Sequence, residues 1–418
     1  MNKRDFLRSA GTAGLGLLLG EKLWAEYASL PVARLAEDEA FWAAIRGKFR
    51  LKPDYINLEN GYYCMQATPV LEAFIARVRE QNYQASYYLR TTQVPDKLAA
   101  RTKVAALGGC SPDELIITRN TTESLDTVIA GFDWKSGDEA VMAEQDYGHM
   151  LAQFKLHARR HGIVNKLVNL PVDPKSDDEI VQLYAGAITP RTRLLMICHM
   201  VNITGQILPV RKVCEMAHAR GVQVMIDAAH TFGHIDYKIP DLGGDYLGAS
   251  LHKWLGCPLG TGILYVRRDR IAGLWPIFGD SRMPDDDDIG KLNHTGTHPV
   301  HTDLAIADAI AFHESMGIQR KEARLRHLQN YWVGKVRGMK NVVMFTPSDP
   351  ARSCAIANVG IRGMKAVDLA KALLEKYQIW TVGIDNAGVA GVRVTPHVFI
   401  QPRELDVFVK AIGEIARA

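Results

Sequence analysis

The sequence predicts an α/β fold: a mostly parallel sheet covered on both faces, followed by a smaller α/β unit. Two observations predict it. Between residues 100 and 270, short β-branched or apolar runs alternate with amphipathic helical segments, the pattern of strands layered with helices. The runs are near-continuously apolar rather than alternating, which marks strands buried on both faces of a parallel sheet. The runs lie at residues 114–118, 139–143, 193–198, 222–227 and 262–266, and the helical patterns at 122–131, 149–161 and 210–220. In such sheets ligands gather at the carboxyl ends of the strands, so the polar residues just after each run are the ones to weigh.

From about residue 302 the pattern changes. Helical stretches at 302–316 and 319–335 precede strand-like runs at 342–345 and 354–359, a helix at 365–377, and a final strand and helix. The expected organisation is a leader at 1–25, a segment at 26–60 returning to pack on the small unit, a large domain at 61–301 and a small domain at 302–418.

Composition bounds the function. The chain has 418 residues, 47% hydrophobic and 23% charged, which suits about two to three globular domains and excludes a disordered chain or a polytopic membrane protein. A net charge of +4 without Lys/Arg clustering gives no footprint for nucleic acid. Six cysteines, Cys64, Cys110, Cys198, Cys214, Cys257 and Cys354, lack CxxC spacing and form neither a zinc signature nor a disulfide framework. No metal is expected. Pro284-Asp285-Asp286-Asp287-Asp288 reads as a solvated loop.

The first 25 residues read as an export address. The basic block Lys3-Arg4-Asp5-Phe6-Leu7-Arg8 precedes a short apolar run, Ala10 to Gly20, with a possible cleavage point after Ala25. That run is far too short to span a bilayer, but the order of the parts suits a signal. The block resembles the twin-arginine motif with Lys in the first arginine place. Such signals are receptor-read addresses. A periplasmic location is expected, and a cytoplasmic one if residues 1–25 are an amphipathic helix instead.

Four features at strand ends carry the chemistry. Val224-Met-Ile-Asp227-Ala-Ala-His230 places a carboxylate where a buried strand emerges, a costly position unless a cation or hydrogen bond supports it; alone it reads equally as a helix cap. Ser250-Leu-His252-Lys253-Trp-Leu sets a lysine among hydroxyl and imidazole donors, and a desolvated lysine forms Schiff bases with carbonyl compounds. Arg119-Asn120-Thr121-Thr122-Glu123 reads as an N-cap with a capping-box partner, whose free N–H groups and helix dipole suit a phosphate. Arg393, in Gly391-Val-Arg393-Val-Thr-Pro-His397, is the residue type that grips carboxylates bidentately. Together these are the parts of a pyridoxal 5'-phosphate site, which needs a lysine, an acid for the pyridinium nitrogen and a phosphate cup. A dinucleotide site is excluded, since Gly260-Thr-Gly262 precedes a strand instead of following one.

The ordered set Asp227-Ala-Ala-His230, Ser250-Leu-His252-Lys253-Trp-Leu, Gly296-Thr297 and Arg393-Val-Thr-Pro-His397 resembles class V aminotransferases of pyridoxal-phosphate fold type I. It is nearest their isopenicillin-N-epimerase-like branch and covers nearly all of the chain after residue 40. The resemblance implies that Lys253 is the Schiff-base lysine and the acid/base at the substrate α-carbon. It implies that Asp227 pairs with the pyridinium nitrogen, with His230 near the ring hydroxyl, in a catalytic set of Lys253, Asp227 and His230. Thr121, Thr122, Ser250 and His252 become candidate phosphate ligands, and Thr297 reaches the phosphate from the partner subunit of a homodimer. Tyr147 is the ring-stacking residue, with His149 as the alternative; Asn202 lies near the ring hydroxyl; Arg393 holds the substrate α-carboxylate.

Fold does not fix the reaction. Epimerisation, elimination or tailoring at the α-carbon of an amino acid or small peptide-derived amine is the leading expectation, with transamination the alternative. A desulfurase of this family needs a nucleophilic cysteine shortly before the carboxylate arginine, and residues 382–391 hold none; sulfur transfer is therefore disfavoured. A non-catalytic cofactor-binding module is disfavoured by the retention of both Lys253 and Asp227.

Overall fold

The computed structural model describes Tyr27 and residues 30–418; the export reading of residues 1–25 lies outside the described residues. Among the described residues, thirteen strands form three sheets. They are β1 (Ile56–Asn57), β2 (Leu115–Thr118), β3 (Glu139–Ala143), β4 (Val164–Val168), β5 (Thr192–Cys198), β6 (Gln223–Asp227), β7 (Tyr246–Ser250), β8 (Gly262–Val266), β9 (Val342–Met344), β10 (Ala357–Ile361), β11 (Ile379–Trp380), β12 (Val382–Asn386) and β13 (Val389–Val394).

The large sheet has the order β2-β8-β7-β6-β5-β3-β4. Its pairs from β7 through β4 are parallel, and β8 runs antiparallel to both β7 and β2. The mostly parallel α/β sheet expected from the sequence is what the chain forms. The continuous apolar runs explain it: every residue of β2, β3, β7 and β8 is buried, so helices cover both faces. Edge strand β4 escapes that logic. Val164 and Leu167 are 42% and 49% exposed, and its mixed sequence gives no continuous apolar signal.

The turn from β2 into helix Thr121–Gly131 departs from a full capping box. Asn120 accepts the Glu123 N–H at 2.9 Å, as the sequence suggests. The Glu123 carboxylate instead takes the Arg119 N–H at 2.5 Å and pairs with the Arg119 guanidinium. Gly262 makes this turn possible: a Cβ there would stand 2.7 Å from the Asn120 Cα, closer than any side chain tolerates.

The C-terminal sheet, β12-β13-β10-β9, is antiparallel. Its core joins Trp332, Leu369, Leu373 and Phe408. Helix Val300–Met316 instead packs on helices Thr68–Gln84 and Gln93–Gly108 and shares the large core with Phe41 and Trp42. The run expected at 354–359 starts later, at Ala357, because Ala355 turns the chain at φ 56°.

The stretch before residue 60 is tied to the C-terminal part. β1 pairs in parallel with β11, and Glu59 bridges Thr395. Arg46 pairs with Glu404, and the buried Arg324 pairs with Glu39 and donates to the Ala36 and Ile400 carbonyls. These anchors deliver residues 59–62 beside the end of β13. All six cysteines are free, and five are buried. Among the described residues no helix is long and apolar enough to cross a membrane.

Candidate active site

The carboxyl ends of β2, β5, β6 and β7 open onto one cavity of about 290 Å³, where α/β sheets place ligands. Thr121, Thr122, Tyr147, Asn202, Asp227, His230, Ser250, His252, Lys253 and Arg393 all line it, so ten of the expected site residues meet in one place. Thr297 does not: it is exposed on the stretch before helix Val300–Met316 and outside this cavity. His149 lines only a neighbouring cavity of about 970 Å³, whereas Tyr147 lines both.

Asp227 ends β6. One carboxylate oxygen accepts the Ala229 N–H at 2.9 Å, leaving Oδ2 to the cavity. Burial pushes its pKa up, opposed by that hydrogen bond and by Lys253; a buried carboxylate of this kind calls for a cationic partner. Lys253 follows β7. Burial draws its pKa down to about 8, with Asp227 pulling the other way. Its Nζ lies 3.1 Å from His230 Nε2. On the other side of that ring, Trp254 Nε1 donates to Nδ1 at 3.4 Å. A neutral imidazole has one N–H, so with Nδ1 accepting, Nε2 carries the proton and can donate to Lys253 Nζ whenever the amine is neutral. Burial, then the Lys253 charge, drives the His230 pKa well below its ordinary value. Trp254 is itself stacked between His234, at 3.8 Å, and His397, at 5.5 Å between ring centroids.

At the other end, Ser250 Oγ receives the Thr121 N–H at 3.0 Å and lies 2.7 Å from Thr121 Oγ1. His252 holds the Thr261 carbonyl at 3.2 Å, with its pKa lowered by burial to about 4. Neutral hydroxyls, an imidazole and a helix N-terminus form a donor set suited to a phosphate. Lysine, buried carboxylate and phosphate cup together fit pyridoxal phosphate, and Tyr147 stands at the N-terminus of helix Gly148–His161 on the cavity wall.

Sequence reasoning missed Glu59. Its carboxylate holds Arg393 through Nε (3.1 Å) and Nη2 (2.6 Å). Nothing in Asn57-Leu-Glu59-Asn60-Gly61 signals this, because the contact joins residues far apart in the chain. Trp254 follows Lys253 in the sequence, but its hydrogen bond to His230, 24 residues away, leaves no local signal either.

A mostly parallel sheet with a buried lysine, an acid at the preceding strand end and a phosphate turn defines a fold type I pyridoxal-phosphate enzyme. The aminotransferase class-V family model matches residues 70–392. Isopenicillin N epimerase of Amycolatopsis lactamdurans is 29% identical over 90% of this chain and 99% of its own length, and that of Streptomyces clavuligerus is 27% identical over 90% and 98%. The apo structure of a cysteine desulfurase from Thermococcus onnurineus superposes with a TM-score of 0.79 at 21% identity, covering 89% of this chain and 97% of that one. The chain belongs to the class V aminotransferase family, whose members depend on pyridoxal phosphate.

Proposed function

We propose that this enzyme binds an amino acid or small peptide-derived amine and acts at its α-carbon without sulfur transfer. The observation that carries the reading is Lys253 Nζ, 3.1 Å from His230 Nε2 and beside Asp227. When bound, pyridoxal phosphate supplies an electron sink that acidifies the substrate α-carbon.

The chain's own residues do the rest. Lys253, poised near neutrality by burial, takes and returns a proton at the α-carbon. His230 keeps Nζ oriented through Nε2, and Trp254 fixes the His230 ring. Asp227 holds a positive charge on the ring nitrogen side of the cavity. Thr121, Thr122, Ser250 and His252 would hold the phosphate, Tyr147 would cover the ring, Asn202 would stand by the ring hydroxyl, and Arg393 would face the substrate. The lack of a cysteine in the β12–β13 hairpin supports chemistry without a persulfide. The cavity's own thiol, Cys198, has its pKa pushed well above the ordinary value by burial, which suppresses the nucleophilic thiolate.

The site is proposed to be completed in a homodimer, with Thr297 of one copy reaching the phosphate of the other. Exposed Leu259, Trp275, Ile277, Phe278 and Met283 support an apolar interface on that side. Export through residues 1–25, directing the enzyme to the periplasm, is proposed on their basic and apolar pattern alone.

Incubating the holoenzyme with pooled amino acids in deuterated water tests the reading. Deuterium at an α-carbon, with or without inversion, is expected. No exchange and no product from any amine would refute it.

A further inference from the structure

The carboxylate-gripping arginine is already gripped. Arg393 and Glu59 are 6% and 9% exposed, and Glu59 takes two of the guanidinium N–H groups, on Nε and Nη2. A third, on Nη1, donates to the Asn202 carbonyl at 3.2 Å. A guanidinium has five N–H groups, so one on each Nη remains.

Glu59 is not loosely held. Its Oε1 also accepts the Tyr62 N–H at 2.9 Å, and its own N–H donates to Asn57 Oδ1 at 3.0 Å. Asn60 and Gly61 both donate backbone N–H groups to Thr395 Oγ1, at 2.6 and 3.1 Å, and Asn60 Nδ2 reaches the Thr395 carbonyl at 2.9 Å. Gly61 lies against the guanidinium: a Cβ there would stand 3.5 Å from Cζ and Nη2. The arginine thus reaches the cavity with its charge balanced by a carboxylate of the same chain.

A substrate carboxylate arriving at Arg393 would become the second anion on one cation in an enclosed site. Like charges sharing a site oppose each other, and a buried pair resists losing one partner. An amine without an α-carboxylate meets no such opposition. We propose that Glu59 is a specificity-determining residue that competes with the substrate α-carboxylate for Arg393, turning the site toward amines whose carboxylate is absent or remote. The inference rests on the reading of the site as a pyridoxal-phosphate centre that binds amines.

The test compares L-alanine, D-alanine and ethylamine, which is alanine without its carboxylate. Each is titrated into the holoenzyme, with binding followed by the cofactor's visible absorption. In Glu59→Gln, one or both alanines are expected to bind about 10- to 100-fold more tightly, since the competing charge is gone, while ethylamine changes by less than about 3-fold. In the Arg393→Gln background the same Glu59 substitution should strengthen alanine binding far less, since the cation competed for is gone. Glu59→Asp keeps the charge on a shorter arm and should fall between wild type and Gln; it serves equally should Glu59→Gln fail to fold. If Glu59→Gln weakens alanine as Arg393→Gln does, or moves all three ligands together, Glu59 merely positions the arginine and the inference is overturned. A protein that binds cofactor but shifts its spectrum with none of the three would instead overturn the amine-binding reading itself.

Discussion

Replacing Asp227 by Asn is expected to make Lys253 more reactive toward electrophiles at neutral pH, although it removes a residue of the proposed cofactor site. Burial depresses the Lys253 pKa to about 8, and Asp227 is the largest influence opposing that fall. At pH 7 a value of about 8 leaves roughly one lysine in ten neutral, against about three in ten thousand near 10.5, an advantage of roughly 300-fold. A carboxylate in the same enclosed site is worth roughly 1–3 kcal/mol at an effective dielectric near 20, about one to two pH units. Asp227→Asn should therefore move the Lys253 midpoint down to about 6–7 and leave half or more of it neutral at pH 7. Cofactor-free protein labelled with limiting acetic anhydride from about pH 5 to pH 10, with Lys253 read by peptide mass and surface lysines as internal standards, reports that midpoint directly. A Lys253 that labels like surface lysines, or an upward shift in Asp227→Asn, would refute the electrostatic account of its reactivity.

Other consequences can be measured separately. Ser250→Ala removes the hydroxyl that joins Thr121 to the phosphate turn, and cofactor titration should show affinity weakened about 10- to 100-fold, the worth of one charge-assisted hydrogen bond. Gly262→Ala forces a Cβ to 2.7 Å from Asn120; urea unfolding should show a loss of about 1–3 kcal/mol, together with weaker cofactor binding. The native enzyme should resist iodoacetamide at neutral pH without losing activity, because burial pushes the Cys64, Cys110 and Cys214 thiols up to about 12 and those of Cys198, Cys257 and Cys354 upward as well. Rapid inactivation by alkylation, or a persulfide formed during turnover, would favour sulfur transfer.

The parts of the fold legible in the sequence were those whose physics is local. Strands β2, β3, β5, β6 and β8 are buried runs, and their apolar continuity showed. Helix Thr121–Gly131 announced itself through Asn120. Strand β4 did not show, since an edge strand with one wet face loses the continuous pattern. Nor did β12, where Gly383 lies close against neighbouring backbone and dilutes the apolar signal, although its hairpin partner β13 falls on the final strand expected around Arg393. For the cavity, Asp227, Ser250 and Lys253 were readable because each stands at a strand end. Glu59 was unreadable because its partner Arg393 lies at the other end of the chain, and tertiary contacts such as the β1–β11 pairing and the Glu59–Thr395 bridge bring them together.

The six unpaired thiols have a consequence for where such a chain can work. None is joined to another, and five are enclosed. A protein held together by disulfides keeps its shape only in oxidising surroundings. This one has no covalent link for a reductant to cut, and most of its sulfur is out of an oxidant's reach. Its covalent structure is therefore the same in a reducing compartment as in an oxidising one, and a molecule that finishes folding in the first has nothing to rearrange in the second.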